Sequence, residues 1–261
     1  PAPFGSVEHL ADRFANIESI RQTHALGTLS PAALQVIRSY YYGCITWLDE
    51  QIGRVLKRLE ERDLLANTLI VFTADHGDLL GDFGSFFKAN HLNGSVRVPF
   101  LAAGPGVREG ETSQALVGLQ DLLPTFAAAA GAELPAAVHG RDLGPVLAEP
   151  GERVRDWYYA QTLESPRQSA MVTDGQWKYI YSEPGATEEL YDQAEDPAEL
   201  TNRAHDPAVA ERLEALRAEL RRQAETMGDA KLLSGDAFAQ GPLDREALRK
   251  QPVGGMGWRW F

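Results

Sequence analysis

Thr68-Leu69-Ile70-Val71-Phe72-Thr73-Ala74-Asp75-His76-Gly77-Asp78 joins a continuous apolar run to a group of charged side chains. The run over residues 68–73 is rich in β-branched and aromatic side chains, which is typical of a parallel-sheet strand buried on both faces. Asp75 and His76 follow this run directly. Because ligands bind beyond the carboxyl ends of the strands in open α/β sheets, the pattern predicts a functional site at residues 75–78.

A long amphipathic helix is predicted upstream of this strand. Ser30 can cap its first turn, and Pro31 suits the first helical position. Apolar side chains then recur at spacings of three and four residues, which predicts one buried stripe along the helix. The residues of this stripe are Leu34, Ile37, Tyr41, Ile45, Leu48, Ile52, Leu56 and Leu59. Cys44 lies on the same stripe, so we expect it to be a small buried hydrophobe.

The helix and the strand together indicate an α/β fold, because a long helix followed by a buried strand is typical of a sheet with crossover connections. Residues 98–102 form the next predicted strand. Asp121 can then cap a further helix that runs through Ala130 and stops at Gly131.

The pattern changes after about residue 150. Asp174-Gly175 stands between two β-prone runs and predicts a hairpin. Asp206-Pro207 opens a charged amphipathic helix that continues to about Thr226. We therefore divide the chain into a first domain over residues 1–150 and a C-terminal subdomain over residues 151–261, with hairpin, helix and tail.

Composition excludes several classes of protein. The 261 residues are 44% hydrophobic and 24% charged, which is typical of a globular chain rather than a disordered one. A net charge of -12 argues against a nucleic-acid partner held through its phosphate backbone. No apolar run reaches the roughly 18 residues of a transmembrane segment. The single cysteine allows no internal disulfide.

The residues after the predicted strand have two possible roles. A carboxylate and an imidazole at neighbouring positions can both reach one cation, and such ligands suit Ca²⁺, Mg²⁺, Mn²⁺ or Zn²⁺. Alternatively, Asp75 caps the turn and His76 packs as a neutral side chain. The chemistry of these two residues alone leaves both interpretations open.

Longer patterns around these residues resemble the sulfatase family, within the alkaline-phosphatase-like superfamily. The resemblance begins with Val71–Asp82 and continues through Lys88 to Ser95–Pro99. Other landmarks follow the family's order over roughly residues 30 to 205. These are Tyr41–Gly43, Asp49–Leu56, Asn67-Thr68, Asp121–Thr125, Gly140–Leu143, Trp177–Tyr179, Glu189–Asp192 and Asp196–Asn202.

The resemblance implies a fold and a set of roles. The fold would be an alkaline-phosphatase-like mixed sheet flanked by helices, with a small antiparallel C-terminal subdomain. Asp75 and His76 would be metal ligands, most often for Ca²⁺, with Mn²⁺ or Mg²⁺ as alternatives. Lys88 would contact a sulfate oxygen and stabilise charge on the bridging oxygen, and His91 would be a second substrate-facing group.

One departure from the family concerns the nucleophile. The family uses a formylglycine made from a Cys or Ser in a Cys/Ser-x-Pro/Ala-x-Arg motif. Cys44 is followed by Ile45-Thr46-Trp47-Leu48 and does not match this motif, and no Ser matches it. The family's early Asp-Asp pair, which supplies further metal ligands, is also absent. We therefore expect residues 1–150 to be the later part of a sulfatase core, and formylglycine to belong to a longer parent protein.

The function implied by the resemblance is hydrolysis of a small-molecule sulfate ester. A phosphonate or phosphate ester hydrolase of the same superfamily is an alternative, because sulfate and phosphate esters share a tetrahedral anionic reacting centre. A second alternative is a sulfatase-fold binding module without catalytic activity, since no nucleophile is recognised.

Overall fold

Residues 29–134, 138–162 and 167–242 are described by the structure, which is a computed structural model. The chain forms two units whose segments alternate in sequence. Among the described residues, the helix unit comprises Ser30–Asp75 and Val98–Tyr158, and the sheet unit contains His76–Arg97 and residues 159–162 and 167–242. The predicted division at residue 150 stays a prediction, and no sequence signal indicated that residues 76–97 belong to the sheet unit.

The helix unit begins with α1, Pro31–Glu60, in agreement with the sequence pattern. The Ser30 side chain accepts a hydrogen bond from the Ala33 amide at 3.1 Å, and Pro31 occupies the first turn. Strand β1, Ile70–Thr73, pairs antiparallel with β2, Phe100–Ala103. The sequence thus locates the helix and both strands of this unit.

Burial in the helix unit differs from the prediction. No residue of α1 is buried, residues 41–50 are all exposed, and Cys44 is exposed, so the predicted buried stripe and buried thiol are wrong. Strand β1 is only half-buried, with 37% of Phe72 exposed, and its partner is antiparallel rather than parallel. Periodicity identifies the apolar face of an element, but it does not show which element covers that face.

The downstream part of the helix unit is organised around Asp121. Helix α2, Asn93–Val96, precedes β2 in the chain and belongs to the sheet unit. After β2, the helix unit continues with α3, Leu122–Ala129, and α4, Gly144–Ala148. Asp121 precedes α3 as predicted, but its side chain does not cap that helix. Its buried carboxylate instead accepts hydrogen bonds from Arg155 and from two backbone amides.

The sheet unit is built on four strands in the order β3-β4-β5-β6. Their bounds are Tyr158–Thr162, Ser169–Thr173, Trp177–Ser182 and Thr187–Asp192. The predicted hairpin at Asp174-Gly175 is confirmed, because β4 and β5 pair antiparallel across it. Gly175 has a φ of 96°, which a turn residue without a side chain adopts readily.

Helix α5, Ala210–Met227, packs against β4 and β5. It confirms the predicted amphipathic helix, and its buried residues are Leu213, Leu216, Leu220 and Ala224. A short hairpin of β7, Leu233–Ser234, and β8, Ala237–Phe238, follows. The sheet and α5 together form the core of this unit.

Among the described residues, no helix is long and apolar enough to cross a membrane.

Candidate functional site

Two of the predicted site residues meet in the sheet unit. The Nζ atom of Lys88 lies 2.5 Å from the Nε2 atom of His76, although the two residues are separated by a loop. Both side chains are half-buried. The structure therefore brings together a predicted metal ligand and the predicted sulfate-binding cation.

The Asp78 side chain closes the loop between them. Its Oδ1 atom accepts hydrogen bonds from the Leu80 amide at 2.7 Å and from the Phe87 amide at 3.0 Å. The Leu79 amide also donates to the Phe87 carbonyl at 3.0 Å. These bonds fix the backbone beside Lys88 against the backbone two residues beyond His76.

Backbone conformations around Lys88 are unusual. Leu80, Phe83, Phe87 and Ala89 all have positive φ angles, between 49° and 69°. Side-chain-bearing residues in this region cost of order 1–3 kcal/mol each and persist where the surrounding structure holds them there, often at functional sites. Because two of these residues flank Lys88 directly, the loop holds this lysine in a specific backbone geometry.

Gly77 permits a close approach that no other residue allows. Its amide donates to the Ser95 carbonyl at 2.7 Å, and an added Cβ would lie 2.1 Å from the Gly94 carbonyl oxygen. A glycine is therefore required where the backbone next to His76 packs on residues 94–95 of α2.

The hydrogen bonds of His76 define its tautomer. Its Nδ1 atom lies 2.8 Å from the Gly77 carbonyl oxygen, which can only accept, so Nδ1 carries the proton. Nε2 then presents its lone pair towards the Lys88 ammonium. Metal-binding histidines have this same arrangement, with one ring nitrogen donating to a carbonyl and the other directed at the cation. His76 therefore fits the predicted ligand role.

Asp75 lies in the helix unit, two residues beyond the end of β1, and its side chain is exposed. This is the predicted position after the carboxyl end of a strand. In the part of the chain that the structure describes, no group of three or more His, Cys, Asp or Glu side chains could hold a metal ion. The assignment of Asp75 and His76 as metal ligands thus remains a prediction from the sequence.

His91 is enclosed in the sheet unit. Its side chain is 3% exposed. Burial lowers its pKa to about 4, with a smaller contribution of the same sign from Lys178 and an opposing one from the Ser169 backbone. His91 is therefore neutral near pH 7, and its predicted contact with substrate stays a prediction.

Burial of His91 should make stability depend on pH. The pKa is about 4 in the folded chain and about 6.5 in the unfolded chain, so the unfolded chain binds more protons between these values. The free energy of unfolding should fall by about 3 kcal/mol as the pH drops from 7 to 4. Urea unfolding across this range should show the loss in the parent chain and a smaller one in His91→Phe. Equal losses in both chains would contradict this account.

Two family models match the sequence. The model for the sulfatases matches residues 8–132, and the model for the C-terminal region of N-sulphoglucosamine sulphohydrolase matches residues 81–226. The second match covers more than half of the chain and includes the loop that carries Lys88.

Similar curated proteins are sulfatases of greater length. An arylsulfatase from Clostridium perfringens is 32% identical over 195 residues, which cover 73% of this chain and 40% of the arylsulfatase. A choline-sulfatase from Rhizobium meliloti is 38% identical over 175 residues, which cover 65% of this chain and 33% of that protein. The chain therefore spans about a third to two-fifths of the length of these relatives.

Similar solved structures include one with a sulfated sugar and one of a phosphonate monoester hydrolase. A protein solved with its substrate D-glucosamine-2-N,6-O-disulfate has a TM-score of 0.67 at 30% identity, over 71% of this chain and 40% of that one. A phosphonate monoester hydrolase from Silicibacter pomeroyi has a TM-score of 0.76 at 26% identity, over 87% of this chain and 50% of that one. The α/β architecture of the chain is alkaline-phosphatase-like. Its matches to the two family models show that the chain belongs to the sulfatase family.

Proposed function

We propose that this chain is part of a sulfuric-ester hydrolase whose substrate is a small-molecule sulfate ester. The observation that carries the proposal is the meeting of His76 and Lys88 at the base of a strained loop, in a chain of the sulfatase family. Arylsulfatase and choline-sulfatase relatives at 32% and 38% identity support the same reaction class.

Lys88 has the chemistry to stabilise the transition state. When a sulfate ester breaks, negative charge develops on the bridging oxygen, and an ammonium held near that atom lowers the barrier. The loop holds the backbone of Lys88 between two residues of positive φ, which limits the positions that its side chain can take. Lys88 is accordingly the residue that we expect to contact a sulfate oxygen.

Asp75 and His76 are the proposed ligands of a divalent cation, with Ca²⁺ preferred and Mn²⁺ or Mg²⁺ as alternatives. When bound, the cation would supply a positive charge that polarises a sulfate oxygen. The Lys88 ammonium lies 2.5 Å from Nε2 of His76, which places a positive charge where a metal ion would otherwise be bound. Metal binding would therefore require Lys88 to move off His76, and its ammonium could then donate to an anionic substrate.

We further propose that the formylglycine nucleophile comes from polypeptide that these 261 residues do not include. The chain contains no Cys or Ser in the required motif, and it spans 40% or less of its curated relatives. Helix α1 leaves large apolar side chains in solvent, including Trp47 at 63% exposure, which is typical of a surface that packs on further protein.

Two alternatives have specific support. The likeness to a phosphonate monoester hydrolase favours a phosphonate or phosphate ester, because a lysine and a metal ion serve any tetrahedral anionic centre. A binding module without catalysis is favoured by the missing nucleophile motif. In a protein that joins this chain to a formylglycine segment, comparing turnover of an aryl sulfate with that of a matching aryl phosphonate distinguishes the first alternative from a sulfatase.

The roles proposed for His76 and Lys88 predict opposite changes in metal affinity when each residue is replaced. In calorimetric titration with Ca²⁺ and Mn²⁺, His76→Ala should weaken binding by about tenfold or more, because a ligand is lost. Lys88→Met should strengthen binding, because a positive charge beside Nε2 is removed. Lys57→Met, on the exposed side of α1, is the matched control and should change nothing. Unchanged affinity in His76→Ala would rule out this metal site.

A further inference from the structure

We propose that Lys178 and Glu199 are positioning residues that hold the loop carrying His76 and Lys88 through the backbone of residues 91–95. This inference rests on the proposed function of that loop. Neither residue was recognised as functional from the sequence, and both lie in the sheet unit, far along the chain from the loop that they contact.

The two residues form an ion pair in the interior of the sheet unit. Lys178 lies on β5, and Glu199 lies in the segment after β6. The Lys178 Nζ atom is 2.5 Å from the Glu199 Oε1 atom, and the two side chains are only 4% and 2% exposed. Burial lowers the pKa of Lys178, and the neighbouring Glu199 carboxylate opposes that shift.

Each partner also binds the backbone of the segment that follows Lys88, at His91 or Asn93. Lys178 Nζ donates to the His91 carbonyl at 2.9 Å and to the Asn93 side-chain oxygen at 2.7 Å. The Glu199 Oε2 atom accepts from the Asn93 amide at 2.6 Å. An ammonium has three donors, and here the three acceptors belong to His91, Asn93 and Glu199. The ion pair is therefore a clamp on residues 91 and 93.

Gln193 completes this network. Its side-chain oxygen accepts from the Asn93 side-chain amide at 2.8 Å, and its own amide donates to Glu199 Oε1 at 3.0 Å. Glu199 has a φ of 57°, a conformation that a glutamate rarely adopts. The chain thus accepts backbone strain at the residue that binds the Asn93 amide, as is common where a residue is held for function.

The clamp reaches both site residues through short connections. Lys88 lies three residues before His91 in the same segment. On the other side, Asn93 begins α2, and the Ser95 carbonyl in that helix accepts from the Gly77 amide at 2.7 Å. Gly77 adjoins His76. Movement of residues 91–95 would therefore displace both His76 and Lys88.

Stability alone does not account for this pair. A buried ion pair is often no more stabilising than apolar side chains of similar size, because both charges lose their hydration. Every residue of β5 is buried, and its other core side chains are mainly aromatic or aliphatic. A lysine at this position is explained by its three hydrogen-bond acceptors, two of which belong to His91 and Asn93.

The test compares two double variants that each replace an ion pair by apolar side chains. Lys178→Met/Glu199→Leu removes the clamp. Arg217→Met/Glu188→Leu is the control, because it removes a less buried ion pair between α5 and β6 whose partners in the described structure lie outside residues 76–97. Hydrogen exchange of the Gly77 amide is followed relative to the Val172 amide in β4, together with Ca²⁺ affinity by calorimetry.

We expect the clamp variant to exchange the Gly77 amide at least tenfold faster relative to Val172 and to bind Ca²⁺ at least tenfold more weakly. The control should leave both quantities unchanged. Equal relative exchange at Gly77 in the two variants would overturn the proposal. If the clamp variant does not fold, Lys178→Met/Glu199→Gln retains an acceptor for the Asn93 amide, and the same comparison applies.

Failure of the proposed function would be seen separately. If the parent chain binds no Ca²⁺, the metal site is wrong, but relative exchange at Gly77 still decides whether Lys178 and Glu199 position the loop. If the parent chain binds Ca²⁺ and the clamp variant binds it equally well with unchanged exchange, the positioning role is wrong and the metal site stands.

Discussion

Replacing Lys88 by alanine should lower the turnover of an aryl sulfate by about 10²–10³-fold in a protein that joins this chain to a formylglycine segment. This is the usual effect of removing one group that stabilises charge in the transition state. The change should appear in kcat as well as in kcat/KM, because the charge on the bridging oxygen develops only as the ester breaks.

The same assay on Lys57→Ala supplies the control. Lys57 lies in the last turn of α1 with its side chain in solvent, so its loss should not affect turnover. A Lys88→Ala enzyme with unchanged kcat would show that the ammonium beside His76 has no part in the chemistry. A raised KM with unchanged kcat would reduce its role to substrate binding.

Replacing Asp121 by alanine should lower the free energy of unfolding by about 3–5 kcal/mol, which is typical when one partner of a buried ion pair is removed. The Asp121 carboxylate is fully buried and receives two hydrogen bonds from Arg155, at 2.8 and 2.5 Å. It also accepts from the amides of Gly118 and Arg141. Without it, a nearly buried guanidinium and two amides would lose their partner.

Asp156→Ala is the control for this measurement. Asp156 pairs with Arg153, but the two side chains are 75% and 72% exposed, and such pairs contribute about 0–1 kcal/mol. Urea unfolding of the three chains gives the comparison. A loss for Asp121→Ala no larger than that for Asp156→Ala would show that Asp121 does not organise the helix unit.

Elements defined by local signals were predicted well. Ser30-Pro31 begins α1 and Asp174-Gly175 forms the hairpin, because capping and turn geometry depend on neighbouring residues. The amphipathic pattern of α5 also predicted its buried face, since that face packs on the sheet of the same unit. Sequence order alone placed Asp75 and His76 after β1.

Properties that depend on distant partners were not predictable in the same way. Cys44 has the pattern of a buried residue, yet it is exposed, because burial depends on an element that covers the helix. Asp121 has the position of a helix cap, but its carboxylate binds Arg155, which is far away in sequence. Lys178 and Glu199 come together only through folding, so their spacing gave no signal of the ion pair.

The most direct test of the central claim is turnover of an aryl sulfate by two proteins in the presence of Ca²⁺. One is the 261-residue chain, and the other joins it to a segment with a Cys-x-Pro-x-Arg motif, produced under conditions that form formylglycine. Since a positioned nucleophile is needed to divide the hydrolysis into two easier steps, only the joined protein should hydrolyse the ester. Robust turnover by the 261-residue chain alone, or none by the joined protein, would contradict the account.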